Sequence, residues 1–192
     1  MNFEELVHAA RTCRRFEQSR PLSAADLEWL TDCARVSPCG RNAQELRFVL
    51  VHSPGACAEL FPQTKWAGAL TDWNGPAEGE RPTGYIAILM PKTANAIVHF
   101  DVGIAAQSIQ LAAASKGWGC CIHASFNRAR CPEILRVPED MDIALLLALG
   151  VAGEERRLAS MPADGSFNYW RDDAGVHYVP KRALEDLILE TL

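Results

Sequence analysis

Residues His99–Phe126 read HFDVGIAAQSIQLAAASKGWGCCIHASF. Asp101 stands where an N-cap is expected, and Val102 to Lys116 holds no proline and a single glycine near its start. Val102, Ile104, Ala105, Ala106, Ile109, Leu111, Ala112, Ala113 and Ala114 spread around nearly the whole helical circumference. A helix apolar on all sides is normally buried through the middle of a domain. Lys116-Gly117 closes it with a basic last turn and a C′ glycine. Trp118-Gly119 then turns the chain into a short extended run, Cys120 to Ile122. A central helix that delivers a strand is thus the element around which the other segments are expected to pack.

Composition narrows the classes. The chain has 192 residues, 48% of them hydrophobic, enough to bury one proper core. A formal net charge of −5, without any block of Lys or Arg, gives no electrostatic footprint for nucleic acid or an anionic membrane. The opening MNFEELVHAA is acidic and amphipathic, unlike a secretory leader. No uninterrupted apolar run reaches the roughly 18 residues of a membrane span. Seven cysteines, scattered at 13, 33, 39, 57, 120, 121 and 131, make no disulfide framework and point to a reducing cytoplasm.

Along the chain, Phe3, Leu6, Val7 and Ala10 repeat at helical spacing and predict a first helix over 2–10. Arg11-Thr12-Cys13-Arg14-Arg15-Phe16 follows, with three arginines in five residues. Ser23 with Asp26 resembles a capping box for a helix that turns Leu27, Leu30, Ala34 and Val36 inward. Ser37-Pro38-Cys39-Gly40-Arg41-Asn42 must be a loop. Phe48–Val51, Tyr85–Met90 and Ile143–Leu149 are apolar runs of strand length, and short helices are expected over 56–60 and 132–135. Phe61 to Pro82, with Trp66 and Trp73, is a long irregular excursion of the kind that usually serves function. Phe167–Arg171 and Val176–Val179, joined by Asp172-Asp173-Ala174-Gly175, read as a hairpin. Ala183–Leu192 is expected as a last amphipathic helix with Leu184, Leu187 and Ile188 inward. The class is α+β, read as one domain over 1–192.

Four of these pieces together resemble the nitroreductase family. Arg11-Thr12-Cys13-Arg14-Arg15-Phe16 is similar to its basic-Ser-x-basic-x-Phe run after the first helix. Ser37-Pro38-Cys39-Gly40-Arg41-Asn42-Ala43-Gln44, with Arg47-Phe48-Val49, resembles its second signature. Asp101-Val102-Gly103 through Gly117-Trp118-Gly119 to Phe126 resembles its third, and Pro138–Met141 with Leu147–Gly150 completes the order.

The resemblance implies a mostly antiparallel central sheet flanked by helices and an intertwined homodimer with FMN at its interface. It implies hydride transfer from NADH or NADPH through flavin N5 to nitroaromatics, quinones or similar small acceptors, in a ping-pong scheme. On that reading Arg11, Thr12, Cys13 and Arg14 match the segment holding the phosphate and the pyrimidine edge. Pro38, Cys39, Gly40, Asn42 and Gln44 match the loop that reaches the flavin from the other subunit. Ile122, His123, Ala124 and Ser125 match the segment along the ring system, and Arg156 and Arg157 a further phosphate cation. Lys65, in the excursion, is a candidate to reach the cofactor. The tail over 160–192 lies beyond the signatures and is a candidate to pack on the partner subunit.

These residue types suit that chemistry. A phosphate with nearly two negative charges favours guanidinium forks and hydroxyl donors, and the protein's task toward a flavin is binding, orientation and electrostatic bias, with no catalytic side chain required. Departures from the family pattern are Ala10 in place of a basic residue, Cys39-Gly40 in place of small hydroxyl residues, and Glu45-Leu46 in place of Pro-Trp. Plainer readings stand beside these. An arginine cluster at a helix end is usually a solvated face, and Asn42 alone is a turn residue. Cys120, Cys121 and His123 lack zinc spacing. A flavin enzyme with a dehydrogenase or dehalogenase reaction, a non-catalytic FMN sensor or carrier, and a cofactor-free scaffold are the alternatives.

Overall fold

The computed structural model describes all residues, Met1–Leu192. Helix α1 (Phe3–Ala9) starts from a capping box in which Asn2 and Glu5 exchange hydrogen bonds. Helix α2 (Ala24–Arg35) has the expected Ser23–Asp26 box and buries Leu27, Leu30 and Ala34, whereas Val36 is exposed. Strand β1 (Arg47–Val51), helix α3 (Pro54–Leu60) and strand β2 (Gly84–Pro91) follow, then helix α4 (Ala96–Ser115) and strand β3 (Trp118–His123). Helix α5 (Arg130–Leu135) leads to strand β4 (Met141–Val151).

The four strands form one antiparallel sheet in the order β1-β2-β4-β3. Its two inner strands, β2 and β4, are covered on both faces, which explains why they read as unbroken apolar runs instead of alternating ones. One face, with Ile86, Ile88, Leu147 and Leu149, packs under α2 and α4. The other, with Tyr85, Ala87, Leu146 and Ala148, packs against α3, α5 and the segment containing Cys13 and Phe16. All seven cysteines are free thiols.

The central helix departs from the sequence expectation in two ways. It begins five residues before Asp101, capped by the Asn95 side chain on the Ile97 N–H at 2.8 Å. Asp101 is no cap but a buried carboxylate within the second turn. Nor is the helix covered all round: Phe100, Gly103, Ile104 and Gln107 form an open stripe. By length and composition α4 could cross a membrane; here eight of its residues are buried in the fold.

The tail differs more. Strand β5 (Arg156–Ser160), unforeseen in the sequence, pairs in parallel with β7 (His177–Lys181). Strand β6 (Trp170–Arg171) pairs antiparallel with β7, shortening the expected hairpin. The expected last helix is absent, leaving a single turn over Leu184–Asp186. Leu184, Leu187, Ile188 and Leu189 are exposed, so no apolar surface of this chain offsets the cost of nucleating a short helix.

Phe16 fixes the chain entering the sheet. Its ring lies where a Cβ on Gly119 or Gly150 would come within 3.2 Å or 3.0 Å of it, and a Cβ on Gly153 would approach the Phe16 backbone to 2.8 Å. Gly153→Ala must push backbone, not a flexible side chain, and is expected to cost about 1–3 kcal/mol. Urea unfolding of the variant against wild type checks this.

Candidate functional site

Past α1, residues 11–16 run extended beside β3. Thr12 bridges Cys120, and the Cys13 N–H donates to the Cys120 carbonyl at 2.9 Å. Extended backbone alternates its side chains. Cys13 turns into the core, fully buried, with its thiol donating to the Arg15 carbonyl, so this candidate contributes no side chain to a site. Thr12 and Arg14 turn the other way and line a cavity of about 300 Å³ with Gln107, Gln110 and Lys181, which Arg11, the residue after the α1 C-cap, also lines. Arg15 leaves the group by pairing with Glu80 at 3.3 Å.

The cavity gathers positive charge without cancelling it: no carboxylate lines it. Arg11 donates one N–H to the Val7 carbonyl at 2.7 Å, and its Nε is buried without a partner. Burial lowers its pKa. Arg14 lies under the Tyr169 ring, 4.2 Å from the centroid, and its Nη1 donates to His177 Nε2 at 3.1 Å. An arginine only donates, so His177 accepts at Nε2 and is neutral with its proton on Nδ1. Burial, followed by the opposed charges of Glu154 and of Arg14, Arg171 and Arg156, lowers the His177 pKa.

The nearest buried carboxylate is already engaged. Glu154, whose side chain is 1% exposed, accepts from the Arg14 backbone N–H at 2.5 Å and from Arg171 Nη2 at 2.8 Å and Nε at 3.2 Å. Arg171 in turn lies 4.3 Å from the Trp73 ring centroid, and the Tyr169 hydroxyl accepts from the Ala69 N–H at 3.4 Å. The excursion and the tail therefore meet beside the cavity.

The loop after α2 is positioned by α4. Gly40 donates its N–H to Asp101 at 2.8 Å, and a Cβ there would meet Ile97. Arg41, Asn42 and Gln44 follow at φ 55°, 54° and 52°, a left-handed run that turns the chain sharply. Pro38, Cys39 and Gln44 line a second cavity of about 270 Å³ with Asp101, Ile104 and Ala105. The two cavities share no lining residue. Within one chain, the loop and the arginines are thus not brought together.

At the end of β3, His123 is buried, donates from Nδ1 to the Lys65 carbonyl at 3.1 Å and meets Trp66 edge-on at 4.4 Å. Its Nε2 has no partner, and burial with the nearby Arg14 charge pushes its pKa down to about 4. Ala124 and Ser125 are exposed, and the Lys65 N–H donates to the Ser125 carbonyl at 3.1 Å. Lys65 thus joins this edge through its backbone, its side chain being exposed. Ile122 packs half-buried on the α4 side of the sheet. Arg157 is exposed and paired with Glu155 at 2.6 Å. Arg156, half-buried, sits opposite His177 in the β5–β7 register.

The model of the nitroreductase family matches residues 7–151. The chain belongs to the nitroreductase family. A Bacillus subtilis (strain 168) relative, provisionally named an NAD(P)H nitroreductase, is 22% identical over 181 residues, covering 79% of this chain and 90% of its own. A provisionally named nitroreductase from Desulfovibrio desulfuricans, solved in complex with FMN, shares the fold with TM-score 0.69 at 18% identity, over 100% of this chain and 98% of that one. An FMN-dependent nitroreductase from Clostridium difficile R20291 matches with TM-score 0.64 at 19% identity, covering 88% and 97%.

Around this cavity, Gln107, Gln110, Tyr169, His177 and Lys181 were not among the candidates read from the sequence. The two glutamines carried a signal, as polar residues three apart on an apolar helix. The other three come from the tail, whose path no local pattern fixes.

The two histidines predict an acid-sensitive fold. Both are neutral when folded, whereas the unfolded chain titrates near 6.5. The unfolded state binds more protons below that pH, so stability present above it is lost as pH falls toward about 4. The His123 share is about 3 kcal/mol. Urea midpoints between neutral and acid pH should fall accordingly, less steeply in His123→Gln.

Proposed function

We propose that the chain is an FMN-dependent oxidoreductase that uses NADH or NADPH to reduce nitroaromatics, quinones or similar small acceptors. One observation carries the reading: a cavity lined by Arg11, Arg14 and Lys181, free of carboxylates, with a buried unpartnered Arg11 Nε. Buried polar groups are nearly always satisfied, and a dianionic phosphate ester supplies the acceptors missing here. The residues present therefore fit FMN. Bound FMN supplies a two-electron carrier between nicotinamide and acceptor.

The protein's share is binding and electrostatic bias. Arg11, Thr12 and Arg14 would hold the phosphate and the pyrimidine edge, where positive charge favours the more anionic reduced cofactor. His123, Ala124 and Ser125 border the ring system, Trp66 backs His123, and Arg156 adds positive potential behind Arg14. The active unit in this reading is a homodimer of single-domain chains, in which Pro38–Gln44 of one copy completes the site of the other. Two features support that arrangement: loop and arginines occupy different cavities, and Phe100 and Ile104 with the tail leucines are exposed. The free thiols accord with a cytoplasmic location.

Arg11→Ala with Arg14→Ala is expected to weaken FMN binding by at least about tenfold, since each charged hydrogen bond is worth about 1.5–3 kcal/mol. Flavin fluorescence titration reads this, and full occupancy in the double variant would remove the assignment. Bleaching of bound flavin by NAD(P)H and its recovery with a quinone separates the enzyme from a passive carrier. Light scattering of the holoprotein tests the dimer.

A further inference from the structure

A second group of donors without acceptors lies apart from the cationic cavity, where the chain leaving Phe16 pairs with Gly79 and Glu80 at the end of the excursion. Gln18, Arg81 and Thr83 line a cavity of about 180 Å³ that shares no residue with the one around Arg11. The Gln18 side-chain oxygen accepts from the Gly79 N–H at 2.8 Å and from the Arg81 N–H at 3.1 Å, which fixes the amide and leaves its –NH2 without a protein partner. Thr83, 8% exposed, accepts the Leu22 N–H at 3.2 Å, so its hydroxyl proton is uncommitted. The Arg81 guanidinium lies over the Phe61 ring, 4.6 Å from the centroid, and its Nε is buried without a partner. The acids beside these residues in sequence are engaged elsewhere, Glu17 by Arg20 and Glu80 by Arg15.

We propose that this cavity binds a small apolar monocarboxylate, its charged end held by Arg81, Gln18 and Thr83 and its body set against Phe61, Pro54 and Ala58. No Asp or Glu lines the cavity, so the arginine's charge is uncancelled, and a guanidinium fork matches a carboxylate in shape. A buried donor without an acceptor is costly, and a carboxylate supplies the acceptors missing here. One guanidinium in a partly apolar lining suits a single negative charge, whereas a phosphate dianion calls for more donors. The volume falls below the roughly 300–1,000 Å³ of sites for drug-sized ligands, too small for a nucleotide. Cys57 also lines the cavity, but its thiol is turned to the Val51 and Thr83 carbonyls at 3.8 Å and 3.5 Å, and burial pushes its pKa up to about 11. The site therefore offers binding without a nucleophile. None of these residues belongs to the flavin reading, and the site does not depend on it.

Benzoate is the probe, titrated by calorimetry into the full chain at neutral pH, with benzamide as its uncharged counterpart. Wild type should bind benzoate saturably and benzamide at least about tenfold more weakly, and inorganic phosphate should not displace benzoate. Arg81→Met keeps an apolar stem beside Phe61 but removes the fork, and benzoate affinity should fall by about tenfold or more. Gln18→Glu retains the oxygen that the Gly79 and Arg81 N–H groups need and replaces the –NH2 with a second carboxylate oxygen. Benzoate affinity should fall at least as far in that variant, with the fold intact. Arg11→Ala with Arg14→Ala should bind benzoate as wild type does. A wild-type chain that takes up no benzoate, or takes up benzamide equally well, overturns the proposal, as does displacement by phosphate. So does wild-type affinity in Arg81→Met or Gln18→Glu. Loss of benzoate in the Arg11, Arg14 double variant places the carboxylate in the cationic cavity and overturns it too. Should Arg81→Met fail to fold, Gln18→Glu decides alone.

Discussion

Phe16 is packed into a notch made by glycines 119, 150 and 153, and the placement of residues 11–15 follows from that fit. Once the ring is seated, Cys13 is turned into the core beside Gly119, and the alternation of an extended chain sends Thr12 and Arg14 to the opposite side, where Arg11 joins them from the end of α1. A hydrophobic constraint thus decides where a cluster of charge appears. The arginines themselves do little to hold the segment; backbone hydrogen bonds do that, from Cys13 to the Cys120 carbonyl, from Gly153 to the Arg15 carbonyl and from the adjoining Glu17 to the Val151 carbonyl. The guanidinium groups can be left underpartnered because the fold does not rely on pairing them.

Much of this was readable from residues alone. The inner strands β2 and β4 announce themselves as apolar runs, and Ser23 with Asp26 marks the start of α2 through a geometry that needs only four residues. The order of Arg11–Phe16, Ser37–Gln44 and His99–Phe126 was enough to indicate the fold. What was illegible depended on distant partners. Asp101 looks like a cap because Asp caps well, yet the helix starts earlier at Asn95 and uses the carboxylate to hold the Gly40 N–H. Cys13 sits between two cavity-lining residues but faces the core, a distinction set by the Phe16 notch. Strand β5 and the fate of Ala183–Leu192 depend on which surfaces remain available once the sheet has formed.

The electrostatic arrangement follows one rule: each acid near the cavity is engaged away from its cations. Glu154 is held by Arg171, Glu80 by Arg15 and Glu155 by Arg157. The two histidines nearest Arg14 stay neutral, because burial and that same positive field make the charged imidazole unfavourable. Positive potential is thereby concentrated at Arg11, Arg14 and Lys181 in a chain whose overall charge is negative.

The joint between the excursion and the tail carries a mechanical consequence. Ala69 and Trp73 are held by Tyr169 and Arg171, about a hundred residues later, and the same two residues cover Arg14 and secure Glu154. Neither segment has a core of its own, so the two stand or open as one cooperative unit. A proteolytic cut anywhere between Ser160 and Tyr169 would loosen the 66–73 segment as surely as the tail, although that segment would be untouched in sequence. The wall of the cationic cavity is in this sense a latch between two loops, closed by one tyrosine and one arginine.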